Sequence, residues 1–293
     1  MTRTIGYGKW ETWHFIAAAA FAALAIVLTF PAWQDIYQMG SLDEEQSHIF
    51  LVPVVAGWMF WARRLRLRNC PPAGTFIGPI IVALGFFSYV FGYNNAVASM
   101  WHAGAVAMVV GCVLTVLGKN VLFQFLPAFL VLVFLVPIPG VIRLAISGPL
   151  QTATAMVTQV ILEIFSVPIE RTGNVLVING RDVAVAEACN GMRMVFALVL
   201  VSYAFAFSIP LRNTTRLLVL ACSPIAALIC NVIRLIPTVL VYGYQAEGSK
   251  MGDHFHDWSG WFMLPVAFML LMMVMKALKW ALLPVMRFNL AYQ

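Results

Sequence analysis

Long apolar runs broken by short polar punctuation set the pattern of this chain. Apolar stretches fall at about 14–33, 49–62, 76–93, 97–117, 121–138, 192–209, 217–242 and 258–283. Most approach the roughly 20 helical residues needed to cross a hydrocarbon core of about 30 Å. The stretch 141–167 has helical period but carries Arg143, Ser147, Thr152, Thr154, Gln159 and Glu163. That pattern fits an interfacial or re-entrant helix, or one packed inside a bundle, better than a lipid-exposed span. Between these halves lies GNVLVINGRDVAVAEACNGMR, residues 173–193, the longest polar interruption of the second half. It predicts a strand over 174–178, a turn at Asn179 and Gly180, a second strand over 182–185, and a helix starting near Gly191.

The expected fold is an all-α polytopic membrane protein of about eight transmembrane helices. An interfacial or re-entrant helix and a small outer-face β-hairpin interrupt it. One domain is expected over 1–293: N-terminal spans in 1–140, the outer-face helix and hairpin in 141–188, and a second set of spans in 189–293.

Composition supports this class. The chain is 62% hydrophobic and only 10% charged, with mean hydropathy +0.88, whereas a soluble domain is near 25% charged. The first apolar run lacks a small-residue cleavage site and reads as a span, not a secretory signal. The net charge of +6 points to no nucleic acid, because the basic residues sit in loops between spans. Cys70, Cys112, Cys189, Cys222 and Cys230 show no paired spacing, so neither a disulfide framework nor a zinc site is expected.

Charge asymmetry orients the chain. With both termini cytoplasmic, the inside set is Arg3, Lys9, Arg63, Arg64, Arg66, Arg68, Lys119, Arg212, Arg216, Lys276, Lys279 and Arg287, two thirds of the 18 basic residues. The acidic loop 35–48, the 141–187 excursion and the 247–257 loop then lie outside, as the positive-inside rule requires if 141–167 does not cross.

Three polar clusters fall at the outer ends of the spans. The first is Cys189 with Glu187, Asn190 and Arg193. A thiol at a helix N-terminus sits in the positive end of the dipole, which favours thiolate; burial opposes this, and the alternative role is a small packed hydrophobe. The second is Arg234, within CNVIRLIP, with Asn231 nearly one turn before it. An arginine inside a span costs at least about 2.5 kcal/mol on insertion scales, so it needs a partner or a wet pocket. A structural ion pair with Asp253, Asp257 or Glu187 would meet that need as well as a catalytic role. The third is His254 and His256 in GDHFHDWSGW. Loop histidines are commonly solvated, but the aromatic helix after His256 fixes its position. No third ligand accompanies the pair, so no metal is expected, and nothing calls for another cofactor. Taken together, a thiol, an imidazole and a guanidinium on one membrane face suit acyl transfer: nucleophile, proton shuttle and charge stabiliser.

These motifs resemble the exosortase/archaeosortase family of membrane transpeptidases, over most of the chain. SHIFLVP (Ser47 to Pro53) with WARRLRLR is similar to the family's Ser-His-Gly-Phe-Leu-Val-Pro element and its basic stop. FLVPIPG, VPIERTGNVLVI, EACNGMR, NVIR and HDWSGW follow in the family's order. The resemblance implies Cys189 as nucleophile, Arg234 as charge stabiliser and His256 as acid/base, and places His48 at the rim of the site. Asn190 departs from the family's serine and Ile49 from its glycine. The implied substrates are the C-terminal tails of membrane-anchored precursor proteins: a short motif, one transmembrane helix, then basic residues. Cleavage through a thioester would pass the acyl group to water, an amine or a glycolipid. The implied location is a prokaryotic inner membrane with the site on its outer face. The small-residue stretches 17–25 and 104–111 could accept the tail helix or simply pack spans together.

Two other classes compete. A non-proteolytic component of exopolysaccharide synthesis or export would leave Cys189 dispensable. A transporter would show two similar halves, and no internal repeat is evident.

Overall fold

The computed structural model describes residues 10–72, 74–185, 191–209 and 211–245, the side chains of 44, 69, 191 and 192 apart. Of the C-terminal stretch it describes 254, 255, 258, 262, 265, 266, 268–270, 272, 273, 276, 277 and 280. The described residues are mostly helical, 82%, and include one small sheet. In chain order the α-helices are α1 (Thr12–Leu28), α2 (Phe30–Leu42), α3 (Leu51–Ala62), α4 (Ile77–Asn94), α5 (Ala98–Leu117), α6 (Lys119–Val131), α7 (Gly140–Ile164), α8 (Gly191–Ser208) and α9 (Asn213–Tyr244). Among the described residues α4, α5 and α9 are each long and apolar enough to cross a membrane, and two bent helix pairs bring the candidates to five.

The bends correct the predicted boundaries. The apolar run 14–33 is not one straight span: α1 and α2 meet at 81°. Thr29 leaves helical geometry, and Pro31 opens the first turn of α2, where a missing N–H costs nothing. The Thr29 hydroxyl donates to the Ala25 carbonyl and accepts from the Trp33 indole N–H. The polar segment after it, expected as a loop, is helical: α2 continues to Leu42 and a 3₁₀ helix covers Glu44–Phe50. The second bend, 93°, lies between Lys119–Leu135, which is α6 extended by the 3₁₀ turn Leu132–Leu135, and α7. There Pro137 and Pro139 remove two donors and exclude helical continuation. Residues 140–164 then form one 25-residue helix.

The chain resolves into two compact units, residues 1–150 with 203–209, and residues 151–202 with 210–293. In the first, α4 and α5 form a tight antiparallel hairpin. Gly78, Gly85 and Gly92 recur every seven residues on α4, as do Gly104 and Gly111 on α5. A Cβ at Gly104 would lie 2.4 Å from the Tyr89 backbone nitrogen, and one at Gly92 would lie 2.3 Å from that of Trp101. Apolar association gains little inside lipid, so spans attract mainly by van der Waals contact, and glycine lets backbones touch. The stretch 104–111 is therefore occupied by α4 and is not open to a tail helix. Of 17–25, Ala18 and Ala25 are buried while Ala19, Ala20 and Ala23 stay exposed.

One member of the basic stop turns inward. Arg63 is buried, and its guanidinium donates to the Gln124 carbonyl of α6 at 3.2 Å and to the Phe207 carbonyl in the last turn of α8. At Phe207 a cation meets the negative end of a helix and a carbonyl that lacks an intrahelical partner, which is favoured. Arg64, Arg66 and Arg68 are exposed.

The second unit contains the sheet: β1 (Glu170–Thr172), β2 (Val175–Ile178) and β3 (Arg181–Ala184), antiparallel in the order β1-β2-β3. The predicted hairpin is present, one residue earlier at its second strand, and β1 is an addition to it. Both connections are two-residue turns. Asn179 (φ 52°) and Gly180 (φ 73°) take the left-handed pair that a type I′ turn demands, and Gly173 (φ 63°) supplies the positive angle between β1 and β2.

Candidate functional site

The sheet is a platform bolted to one end of α9. Alternation puts Leu176, Ile178 and Val183 on the covered face, where they join Val185, Ala155 and Leu162 of α7, and Leu235 and Val239 of α9. Polar contacts fix the register. Asn179 Nδ2 donates to the Gly243 carbonyl at 3.2 Å. Arg181 Nη1 donates to the carbonyls of Tyr242 at 3.2 Å and Gln245 at 2.8 Å. These are end-of-helix carbonyls, so a guanidinium satisfies them and meets the negative end of the helix dipole. The other edge is held from α7: Thr152 donates to Asn174 Oδ1 at 2.9 Å, and Arg171 Nε donates to Gln159 Oε1 at 3.0 Å. Thr152 and Gln159, two of the polar residues of 141–167, thus grip the sheet.

From β3 the chain runs within five residues to Cys189. Cys189, Glu187, Asn190 and His256 lie outside the described residues, as do Asp253 and Asp257. Arg193 is half-buried in the first turns of α8, and His254 is exposed.

Of the three residues expected to carry the chemistry, Arg234 is among the described ones. It is 5% exposed on an apolar 32-residue helix. Its carbonyl accepts from the Thr238 hydroxyl at 2.8 Å. One turn earlier Asn231, 1% exposed, donates through Nδ2 to Thr154 Oγ1 at 3.1 Å; Thr154 is itself fully buried. Asn231 therefore ties α9 to α7 beside Arg234, as its spacing in NVIR suggested it would share that face. Thr154 and Arg181 were not singled out as site residues from the sequence. Their signals were there: a hydroxyl in an apolar helix, and an arginine next after an Asn-Gly turn.

His48 lies in the first unit. It is 4% exposed at the end of the 3₁₀ helix, with Nδ1 3.3 Å from the Glu45 carbonyl. Burial pushes its pKa below the usual 6.5, against a smaller opposing effect of the Glu45 backbone, so neutral imidazole is favoured. The acidic run before it is ordered. Asp43 caps the turn, accepting from the Glu45 N–H at 3.0 Å and the Gln46 amide at 3.2 Å. Arg143 bonds to Asp43 and reaches Glu45 at 3.2 Å. Burial would raise the Asp43 pKa, but hydrogen bonds from Gln46, Glu45 and Arg143, with the Arg143 charge, hold it below 3.8. No group of three metal-ligating side chains occurs among the described residues.

Arg234 is buried on an apolar helix whose Leu235 and Val239 pack under the sheet. A family model of transmembrane exosortases matches residues 32–273, most of the chain. This protein is a transmembrane exosortase-family member. No curated protein and no solved structure matches it. The exosortase match spans the SHIFLVP element, α7, the sheet, α8, α9 and the His256 motif together.

Proposed function

We propose that this exosortase-family protein is a membrane cysteine peptidase/transpeptidase acting on C-terminal sorting tails. Arg234 carries the reading: a guanidinium held 5% exposed inside an apolar helix, in a chain matched to this family over 32–273. A guanidinium held in an apolar setting is a strong stabiliser of the thiolate or oxyanion that develops in acyl transfer.

The Cys189 thiolate attacks the scissile carbonyl of the tail, forming a tetrahedral oxyanion that Arg234 stabilises. His256 gives a proton to the departing amine, and the C–N bond breaks to leave a thioester. Water or an amine, deprotonated by His256, then attacks the thioester, and breaking of the C–S bond returns the Cys189 thiolate beside protonated His256. Glu187, Asn190 and Arg193 surround the nucleophile, Asn231 positions Arg234 through its bond to Thr154, and His48 and His254 serve tail recognition. In this reading eight helices cross a prokaryotic inner membrane with both termini cytoplasmic, and the tail helix enters the bilayer alongside them.

The test is co-expression with a tail-bearing precursor, reading substrate mass. Loss of the tail helix with wild type but not with Cys189→Ala, Arg234→Ala or His256→Ala is expected. Normal processing by Cys189→Ala overturns the proposal. The mass of the new C-terminus separates water from amine acceptors.

A further inference from the structure

A second binding feature lies in the first unit, built from residues the peptidase reading does not use. α1 and α4 both pack on α5, and between them runs an apolar groove. One part, about 390 Å³, is lined by Trp13, Ala17 and Phe21 of α1 with Thr115 of α5. It continues past Phe21 and Thr115 into a part of about 440 Å³ lined by Val82, Ala83 and Phe86 of α4. Each part is in the range of small-molecule sites, about 300–1,000 Å³. No carboxylate lines either part among the described residues.

One end of the groove lies next to a basic segment. His14, Pro72 and Gly74 line it there. The Trp10 indole donates to the Leu67 carbonyl at 2.9 Å, and the Cys70 thiol contacts the carbonyls of Arg66 and Asn120. The 3₁₀ segment Arg64–Asn69 and the start of α6 are thereby held against the start of α1. That segment presents exposed Arg64, Arg66 and Arg68, with exposed Lys119 beside it, against one exposed carboxylate, Glu11. Arg64 also stacks over Trp61 at 4.2 Å.

Length selects the occupant. The groove follows α1 from Trp13 to Phe21 for about 12 Å and then α4 from Pro79 to Phe86 for about 10 Å, at 1.5 Å per residue. One leaflet of the hydrocarbon core is about 15 Å deep, whereas a transmembrane helix needs about 30 Å. The dimensions suit an acyl chain and are too short for a helix. The exposed Arg64, Arg66 and Arg68 flank Leu67, which the Trp10 indole ties to the start of α1 next to that end, and they select a negative headgroup.

We propose that this groove is a binding site for an anionic phospholipid of the cytoplasmic leaflet, one acyl chain between α1 and α4 and its phosphate among Arg64, Arg66 and Arg68. It is separate from the peptidase reading and stands or falls without it. The test uses the purified full-length protein in detergent with dioleoylphosphatidylglycerol or dioleoylphosphatidylcholine, read by native mass spectrometry and thermal shift. Wild type is expected to retain phosphatidylglycerol in preference to phosphatidylcholine. Substituting all three arginines with glutamine is expected to weaken that retention about 100-fold, while the triple lysine variant keeps the preference. Ala83→Trp, which fills the groove and leaves every cation in place, is expected to lose the bound lipid. Equal retention of the two lipids by wild type, or phosphatidylglycerol retention by Ala83→Trp at the wild-type level, overturns the proposal. If the glutamine variant does not fold, Ala83→Trp and the lysine variant decide the matter.

Discussion

The contact between Gly243 and Ile178 offers a quantitative test of how the sheet is seated on α9. A Cβ placed on Gly243 would lie 2.4 Å from Ile178 Cγ2, 3.0 Å from Cγ1 and 3.1 Å from Cδ1. Ordinary contact starts near 3.4 Å, so the sheet must move by about 1 Å, or Ile178 must leave its rotamer. Ile178 is fully buried and β-branched, so rotation has nowhere to go. Alanine in a helix gains at most ~1 kcal/mol over glycine, and less in a last turn. Overpacking costs about 1–3 kcal/mol, so the clash wins and Gly243→Ala should lose roughly 1–2 kcal/mol. Ile178→Ala alone should lose about 2–5 kcal/mol through its cavity. The double variant removes the clashing atoms and fills part of the cavity, so it should be more stable than the sum of the two losses by about 0.5–3 kcal/mol. Thermal unfolding in detergent measures the cycle, and under the proposed peptidase function tail processing reports the consequence. A shift of about 1 Å at a catalytic group can cost on the order of 100-fold, and Cys189 follows β3 closely. Strict additivity, or a Gly243→Ala protein with wild-type stability, would refute the seating described here.

Other expectations follow from the same contacts. Arg181→Ala should destabilise by about 1.5–3 kcal/mol by removing a charged donor from the end carbonyls of α9, with Arg181→Lys recovering part; unchanged unfolding would show that the anchor is idle. Gly104→Ala should force α4 from α5 and cost about 1–3 kcal/mol or more, lowering the unfolding midpoint. Arg234→Lys keeps the charge but not the planar fork, so processing should fall with little loss of folded protein; wild-type rates would count against a directed guanidinium role. His48 is held below 6.5 by burial, so the unfolded state binds its proton first. Its stabilisation is complete above pH 6.5 and is lost as pH falls through the folded value. The unfolding midpoint should therefore drop between pH 7.5 and 5, and His48→Gln should flatten that slope. Asp43 behaves alike in a lower window, its contribution present above 3.8 and lost below it; Arg143→Gln should move that loss to higher pH.

By itself, the sequence determined what depends on near neighbours. The Asn179-Gly180 turn was legible because positive φ at two adjacent positions is a local demand. α4 and α5 were legible within one residue of their observed ends because unbroken apolar runs have a period and a stop. The order of motifs identified the family, and the NVIR spacing marked Asn231 as a companion of Arg234. Tertiary structure decided which faces meet. β1 has three residues and no alternation strong enough to announce it; it exists because β2 offers an edge. The glycines at 78, 85, 92, 104 and 111 are equally consistent with a seam for a substrate helix and one for a neighbouring span, and only the pairing of α4 with α5 chooses. Arg63 cannot be told from Arg64 by its neighbours in the chain, since its inward course is set by carbonyls 61 and 144 positions away. Thr154 likewise gains its meaning from Asn231, 77 residues later. Periodicity and turn chemistry are written in adjacent residues, whereas the partner of a buried polar group is set by packing between distant ones.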